Sequence, residues 1–196
     1  LQNNPMLNRK EDKSRLEWLK PEWMAPVNVQ AVSTTRNGGN SAAPFDSLNL
    51  GLHVGDDDRS VAGNRNRLVQ ACGLPGEPVW LNQVHGCGVI TLSADQGSDA
   101  VMFQADSAWT NEPGRVCAVM TADCLPLLLC NRDGTEVAAV HAGWRGLCDG
   151  VIEAAVARFS SAPSELLVWL GPAIGPHAFE VGPEVIEAFI AVDSEA

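Results

Sequence analysis

Three residues of this chain carry side chains suited to hold a metal ion and stand where apolar runs stop: His85 after VWLNQV, Cys124 beside Asp123, and His141 after EVAAV. Polar side chains at strand ends that face glycine-rich loops are where open sites are usually built. Two imidazoles and a thiolate are good zinc ligands. Three protein ligands leave the fourth tetrahedral position for water, which is the pattern of a catalytic site. Zinc so held brings water to a pKa of about 7. The trio also has a metal-free reading, a Cys-His hydrolase with Cys124 as nucleophile and a histidine as its base. Met120 lies nearby in sequence, and two His, one Cys and a Met loosely match a blue-copper ligand set, which transfers electrons without reducing oxygen. The chain has four histidines in all, too few for the several imidazole-rich centres of a multicopper oxidase. Of the other two, His177 follows the rigid turn GPAIGP and reads as structural or exposed.

Anion binders come next. Arg145 stands in GWRG at an expected helix start, where exposed amides and a guanidinium suit a phosphate. Arg36 lies in TTRNGG, where glycines allow close backbone approach. Trp144 is placed to stack on a base or to pack under the helix.

The elements that must position these residues follow from periodicity. VNVQAVS (27–33) reads as a strand, and the long loop 34–51, rich in Gly, Asn and Ser, as functional. Asp56-Asp57-Asp58 caps a helix to about Cys72, with Gly73 and Pro75 as stop signals and Val61, Leu68, Val69 and Cys72 on its buried face. PVWLNQV (78–84) and CGVITL (87–92) read as two strands turning at His85-Gly86. The stretch 93–113 is weakly patterned. RVCAVMT (115–121) is a buried strand. LPLLLC (125–130) and EVAAVH (136–141) form a hairpin across Asn131-Arg132-Asp133-Gly134. A helix runs from AGWRG to about Phe159, LLVWLG (166–171) is a buried strand, and Pro183 opens a last helix. Without strict βαβ alternation, the pattern predicts a mixed α/β domain with helices packed outside a mixed sheet.

Composition sets the outer bounds. With 196 residues, 45% of them hydrophobic, the chain is globular, and at roughly 100–200 residues per domain it makes one domain. The 13 Lys+Arg against 24 Asp+Glu give a net charge of −11, which argues against nucleic acid or an anionic membrane as partner. All three lysines lie in the basic opening, and from Gly146 onward Arg158 faces eight acids. No stretch reaches the roughly 20 apolar residues of a membrane span, and the opening lacks a signal peptide's apolar core, so the expected location is the cytoplasm. The six cysteines include no C-x-x-C pair and are read as reduced, mostly buried thiols.

Five ordered blocks then carry a resemblance: SLNLGLHVGDD (47–57), NQVHG (82–86), TADCLPLLL (121–129), AAVHAGWRGL (138–147) and GPAIGPHAFEVGPEV (171–185). Together they resemble the YfiH family, first described as laccase-like multicopper polyphenol oxidases and now as purine nucleoside phosphorylases. The resemblance runs from about Val27 to Val185. It implies one mixed α/β domain in α-β-β-α layers, a fold also likened to the catalytic domain of the cytotoxic necrotizing factor toxins. It implies metal ligation by His85, Cys124 and His141, with these three also the catalytic residues and zinc the cofactor. Copper in a purified sample would reflect its high intrinsic affinity for such ligands. The implied activity is phosphorolysis of adenosine, inosine, guanosine or methylthioadenosine to free base and ribose 1-phosphate, with adenosine deamination beside it. Copper-dependent polyphenol oxidation is the alternative. The family continues past the GPAIGP block, so the expected layout is a leader (1–24) and a catalytic domain (25–196) lacking that C-terminal segment. Within this frame we assign phosphate or ribose to Arg36 and Arg145, the nucleoside to Asn49 and Gln83, and proton handling or ligand orientation to Asp123.

Overall fold

The two most continuous apolar runs of the chain, LPLLLC and VAAVHA, lie at the heart of a sheet, as their lack of alternation requires: strands buried on both faces need no polar side. The structure is a computed structural model that describes residues 15–93 and 103–193; most of the expected leader lies outside them. The described residues fall into two compact units, residues 15–19 with Val32–Gly73, and Lys20–Ala31 with residues 74–93 and 103–193.

In the first unit, β1 (Trp18–Leu19) pairs antiparallel with β2 (Ser33–Thr34). Helix α1 (Asp58–Cys72) begins at Asp57, whose carboxylate accepts from the Ser60 amide, and ends at Gly73 with φ +60°. Val61 and Leu68 are buried as expected, and so is Asn64. Asn64 organises the loop between β2 and α1. Its Oδ1 accepts from the Asn40 amide at 2.7 Å, and its Nδ2 donates to Ser41 Oγ and to the carbonyls of Ser47 and Asn49.

In the second unit a five-stranded sheet has the order β3-β4-β6-β5-β7. Its strands are β3 (Val89–Thr91), β4 (Ser107–Thr110), β5 (Leu125–Asn131), β6 (Val137–Ala142) and β7 (Leu166–Leu170). β3 and β4 are parallel and the other pairs antiparallel, so the sheet is mixed, as expected. One face carries Trp109, Leu127, Leu129, Ala138, Val140 and Ala142, packed with Val151, Ala155 and Phe159. Trp109 and Phe159 meet edge to face. Ala108, which alternates with Trp109, belongs to a second cluster with Leu81, Leu92 and Ala105. Each fully buried aliphatic side chain contributes roughly 1.5–3 kcal/mol, so these two layers dominate the unit's stability.

Several expectations need correction. The strand over 27–33 shrinks to Ser33–Thr34. Val27 is fully exposed in a turn closed by Val29 N–H to the Pro26 carbonyl, and Asn28 donates to the Gly134 carbonyl. The two arms around His85-Gly86 are not a hairpin: β3 pairs with β4, while Asn82 makes only an isolated bridge to Gln104. The buried strand over 115–121 has no ladder, because Met120 pairs its backbone with the Gln83 side chain instead. Its Cys117 does pack against the second cluster, where burial pushes the thiol up to about 12. The helix after GWRG breaks into α2 (Trp144–Cys148) and α3 (Val151–Val156) at Gly150, where φ is +88°. The strand at LLVWLG forms, but at the sheet edge, with Val168 and Leu170 exposed. The last helix, α4 (Pro183–Val192), forms and buries none of its residues. All six cysteines are free thiols; Cys130 is fully buried, Cys72, Cys117, Cys124 and Cys148 are partly buried, and Cys87 is exposed. Among the described residues no helix is long and apolar enough to cross a membrane.

Candidate metal centre

The hairpin of β5 and β6 brings two of the three expected ligands together by register alone. Leu125 stands opposite Ala142, so one step further out Cys124 faces Gly143, and His141 lies within the ladder opposite Pro126. Across the other edge of β6, Ser107 faces Val140, and the next step out puts Asp106 opposite His141. The Asp106 carbonyl accepts from the His141 amide at 2.7 Å. The third ligand, His85, arrives on the loop before β3 with φ +60°, a left-handed conformation that costs a non-glycine residue about 1–2 kcal/mol.

That conformation is held by a carboxylate. Asp106 accepts from the amides of Val84 (3.2 Å), His85 (2.9 Å) and Gly86 (2.8 Å). Its Oδ1 also lies 2.8 Å from His141 Nδ1. Burial works to raise this carboxyl, but the bond to His141 and those from the three amides outweigh it, leaving Asp106 below the ordinary carboxylate value. Burial holds His141 below the ordinary imidazole value, against the pull of Asp106.

The structure thus brings His85, Cys124 and His141 together, their ligand atoms all within 4.8 Å of one another. The His85 and His141 rings meet edge on, 4.9 Å between centroids. Ligands of one tetrahedral zinc stand roughly 3.3–3.6 Å apart, given bonds near 2.0 Å to nitrogen and 2.3 Å to sulfur, so side-chain shifts of about 1 Å close the set. Burial and the charges of Asp123 and Asp106 push the Cys124 thiol up, which favours its neutral form. The geometry fits an ion in one further way. The space between the ligands is kept by a glycine. A Cβ at Gly143 would lie 2.8 Å from His85 Cδ2 and 3.1 Å from Cys124 Sγ. A similar approach seats α2 on the His85 turn, where a Cβ at Gly146 would meet the Gly86 carbonyl oxygen at 2.8 Å.

The other expected residues are placed as follows. Arg145 is exposed and stacks its guanidinium 4.3 Å over the Trp144 ring. It sits on a helix of five residues, too short to present the dipole its position was expected to exploit. Gln83 uses both ends of its amide on the Met120 backbone, at 2.8 and 2.7 Å, and so ties the His85 loop to the segment leading into Cys124. Asp123 is exposed beside Cys124, and its carbonyl accepts from the Ile174 amide of the GPAIGP block. In the first unit, Arg36 bonds the Asp46 carbonyl at 2.7 Å and pairs with its carboxylate at 3.3 Å. Asn49 bridges Gly51 and Asp56 within its own loop. Sequence reasoning missed Asp106, Gly143 and Asn64. The signal for Asp106 was a single acid inside the small, apolar run ADSAW.

Residues 30–196 match the model of the family described as multi-copper polyphenol oxidoreductase laccase. Purine nucleoside phosphorylase YfiH of Shigella flexneri is 59% identical over 176 residues, which cover 90% of this chain and 71% of the relative. A purine nucleoside phosphorylase of Haemophilus influenzae is 49% identical over 181 residues, 92% of this chain and 72% of that one. Among solved structures, Neisseria meningitidis protein NMB0706 superposes with a TM-score of 0.84 at 46% identity, covering 91% of this chain and 72% of its own. YlmD of Geobacillus stearothermophilus does so at 0.75 and 34%, covering 85% and 67%. A His-Cys-His cluster on a mixed sheet, a family match over most of the chain and these relatives agree: the chain belongs to the laccase-like family described as multi-copper polyphenol oxidoreductases, in which the YfiH purine nucleoside phosphorylases also fall.

Proposed function

We propose that this protein is a cytoplasmic purine nucleoside phosphorylase that also deaminates adenosine, with zinc held by His85, Cys124 and His141. The observation that carries the reading is the 59% identity to a relative named purine nucleoside phosphorylase, in a chain whose ligand trio is clustered. Phosphorolysis breaks the bond between the purine nitrogen and ribose C1′ and forms one from C1′ to a phosphate oxygen. It yields the free base and ribose 1-phosphate from adenosine, inosine, guanosine or methylthioadenosine. Deamination replaces the 6-amino group of adenosine with oxygen from water and releases ammonia.

Bound zinc supplies a Lewis acid and activates water near neutral pH, which suits the deamination. The chain's own residues do the rest. His141 is held by Asp106, and His85 is presented at the open side of the cluster. Arg145, exposed two residues after Gly143, binds the phosphate, while Asp123 is the carboxylate placed to move a proton beside Cys124. Gln83 contributes by ordering the loop that carries His85, while Arg36 and Asn49, which order a loop of the first unit, keep the substrate-binding role their motifs imply.

The test is metal analysis of the purified chain, combined with product identification from adenosine with and without phosphate. The reading expects stoichiometric zinc, adenine and ribose 1-phosphate only when phosphate is present, and inosine in both cases. Bound copper with oxidation of phenols, or phosphate-independent release of adenine, would overturn it.

A further inference from the structure

We propose that Asp106 is the positioning residue of the metal centre: one buried carboxylate sets both the tautomer of His141 and the backbone turn that presents His85. The inference rests on the reading of the trio as a metal centre, and it follows from geometry alone. Asp106 is fully buried, and four protein groups meet its carboxylate. Three of them are backbone amides, from Val84, His85 and Gly86. Amides only donate, so the carboxyl acts as an acceptor on both oxygens. The oxygen 2.8 Å from His141 Nδ1 also accepts from the His85 amide. An ionised carboxylate in that position requires Nδ1 of His141 to carry its hydrogen. The lone pair of His141 is then on Nε2, the nitrogen left to face the cluster.

The same carboxylate gathers three consecutive amides on both sides of the His85 Cα, which stabilises the left-handed turn at φ +60°. Without that anchor, an exposed histidine on a loop has no reason to keep that conformation. The main chain of Asp106 is bound independently, its carbonyl to His141 and its amide to the Gly88 carbonyl. A change confined to the side chain therefore leaves β4 in register while releasing both ligands. Such partners of metal-bound histidines fix ring orientation and ligand basicity.

Asp106→Asn tests this in the full chain, with Zn2+ as the probe. An asparagine cannot accept on both sides of the site. The zinc affinity, read by competition with a chromophoric chelator, should fall about 10- to 100-fold. In the zinc-free protein, 15N shifts of His141 should show the Nδ1–H tautomer in the wild type and a mixture in the variant. The amides of residues 84–86 should exchange faster in the variant. A merely structural Asp106 would lower the melting temperature and leave the zinc affinity of the folded variant and the His141 tautomer unchanged, and that result overturns the proposal. Should Asp106→Asn fail to fold, the wild type decides: an Nε2–H tautomer at His141, or unprotected amides at 84–86, overturns it. If wild type binds no zinc, the metal reading fails, while the tautomer and the amides still report on Asp106.

Discussion

Gly143 offers the sharpest test of how the ligand cluster is kept open. Its backbone, at φ −66° and ψ 156°, is one that alanine adopts without strain, and Gly→Ala at such positions ordinarily stabilises by about 0.4–1 kcal/mol. The only new feature in Gly143→Ala is a methyl group 2.8 Å from His85 Cδ2, 3.1 Å from Cys124 Sγ and 3.7 Å from His141 Cε1. Carbon atoms rest at about 3.5–4.0 Å, so the His85 ring must retreat by roughly 0.7–1.2 Å. Cys124 Sγ must also give way, by a few tenths of an ångström. Metal–ligand distances hold to about ±0.2 Å, so this displacement is several times what the ion tolerates. Zinc affinity should fall about 10- to 100-fold, the loss usual when a ligand's support is removed, which is about 1.4–2.7 kcal/mol. His85 is exposed, so its ring moves at little cost to the fold, and the zinc-free melting temperature should stay level or rise slightly. Chelator competition and thermal melts of the metal-free protein read the two effects separately. A variant that binds zinc as tightly as wild type would refute the claim that glycine is needed there.

Asn64→Ala should destabilise the chain by about 2–4 kcal/mol in denaturant titrations, because it leaves the Asn40 amide and the carbonyls of Ser47 and Asn49 without their buried partner. Asp106 has a lowered folded-state pKa, so the stability it adds is complete above the unfolded value of about 3.9 and is lost as pH falls through the lowered one. The melting temperature of the zinc-free wild type should therefore drop more steeply than that of Asp106→Asn on acidification below pH ~4. Arg145→Ala should raise the Michaelis constant for phosphate about 10- to 100-fold, the worth of a charge-assisted hydrogen bond. Deamination, which uses water, should suffer less, and equal loss of both activities removes Arg145 from the phosphate.

The hairpin that carries Cys124 and His141 was legible because its information is local: two apolar runs, an Asn-Arg-Asp-Gly turn, and polar residues where the runs stop. Helix α1 was legible for the same reason, with Asp57 and Gly73 marking its ends. Where the reading failed, the deciding interaction was distant in sequence. Apolar residues at 115–121 and 78–84 satisfy the pattern of a strand, but their backbone groups go to the Gln83 side chain and an isolated bridge. Val27 and Val29 alternate correctly, yet Asn28 between them bonds the Gly134 carbonyl, 106 residues away. The sequence distance from Asp106 to His141 is 35 residues, and the lone acid in ADSAW signals burial without naming its partner. Gly143 was silent because its contribution is an absence of atoms.

The three residues of the cluster differ in exposure and in the elements that hold them, which would set a sequence for ion exchange. Cys124 and His141 are fixed by the β5–β6 hairpin, and His141 is almost fully buried, so both are in place once the sheet has formed. His85 is exposed and comes from a loop, so it can swing without disturbing a strand. An incoming ion would meet the hairpin pair first and be closed in by His85. An ion leaving, or one lost to a competing chelator, would have to release His85 first. Were a metal bound by the three, its release would depend on the loop at residues 84–86, and the hairpin would hold the other two side chains in place meanwhile.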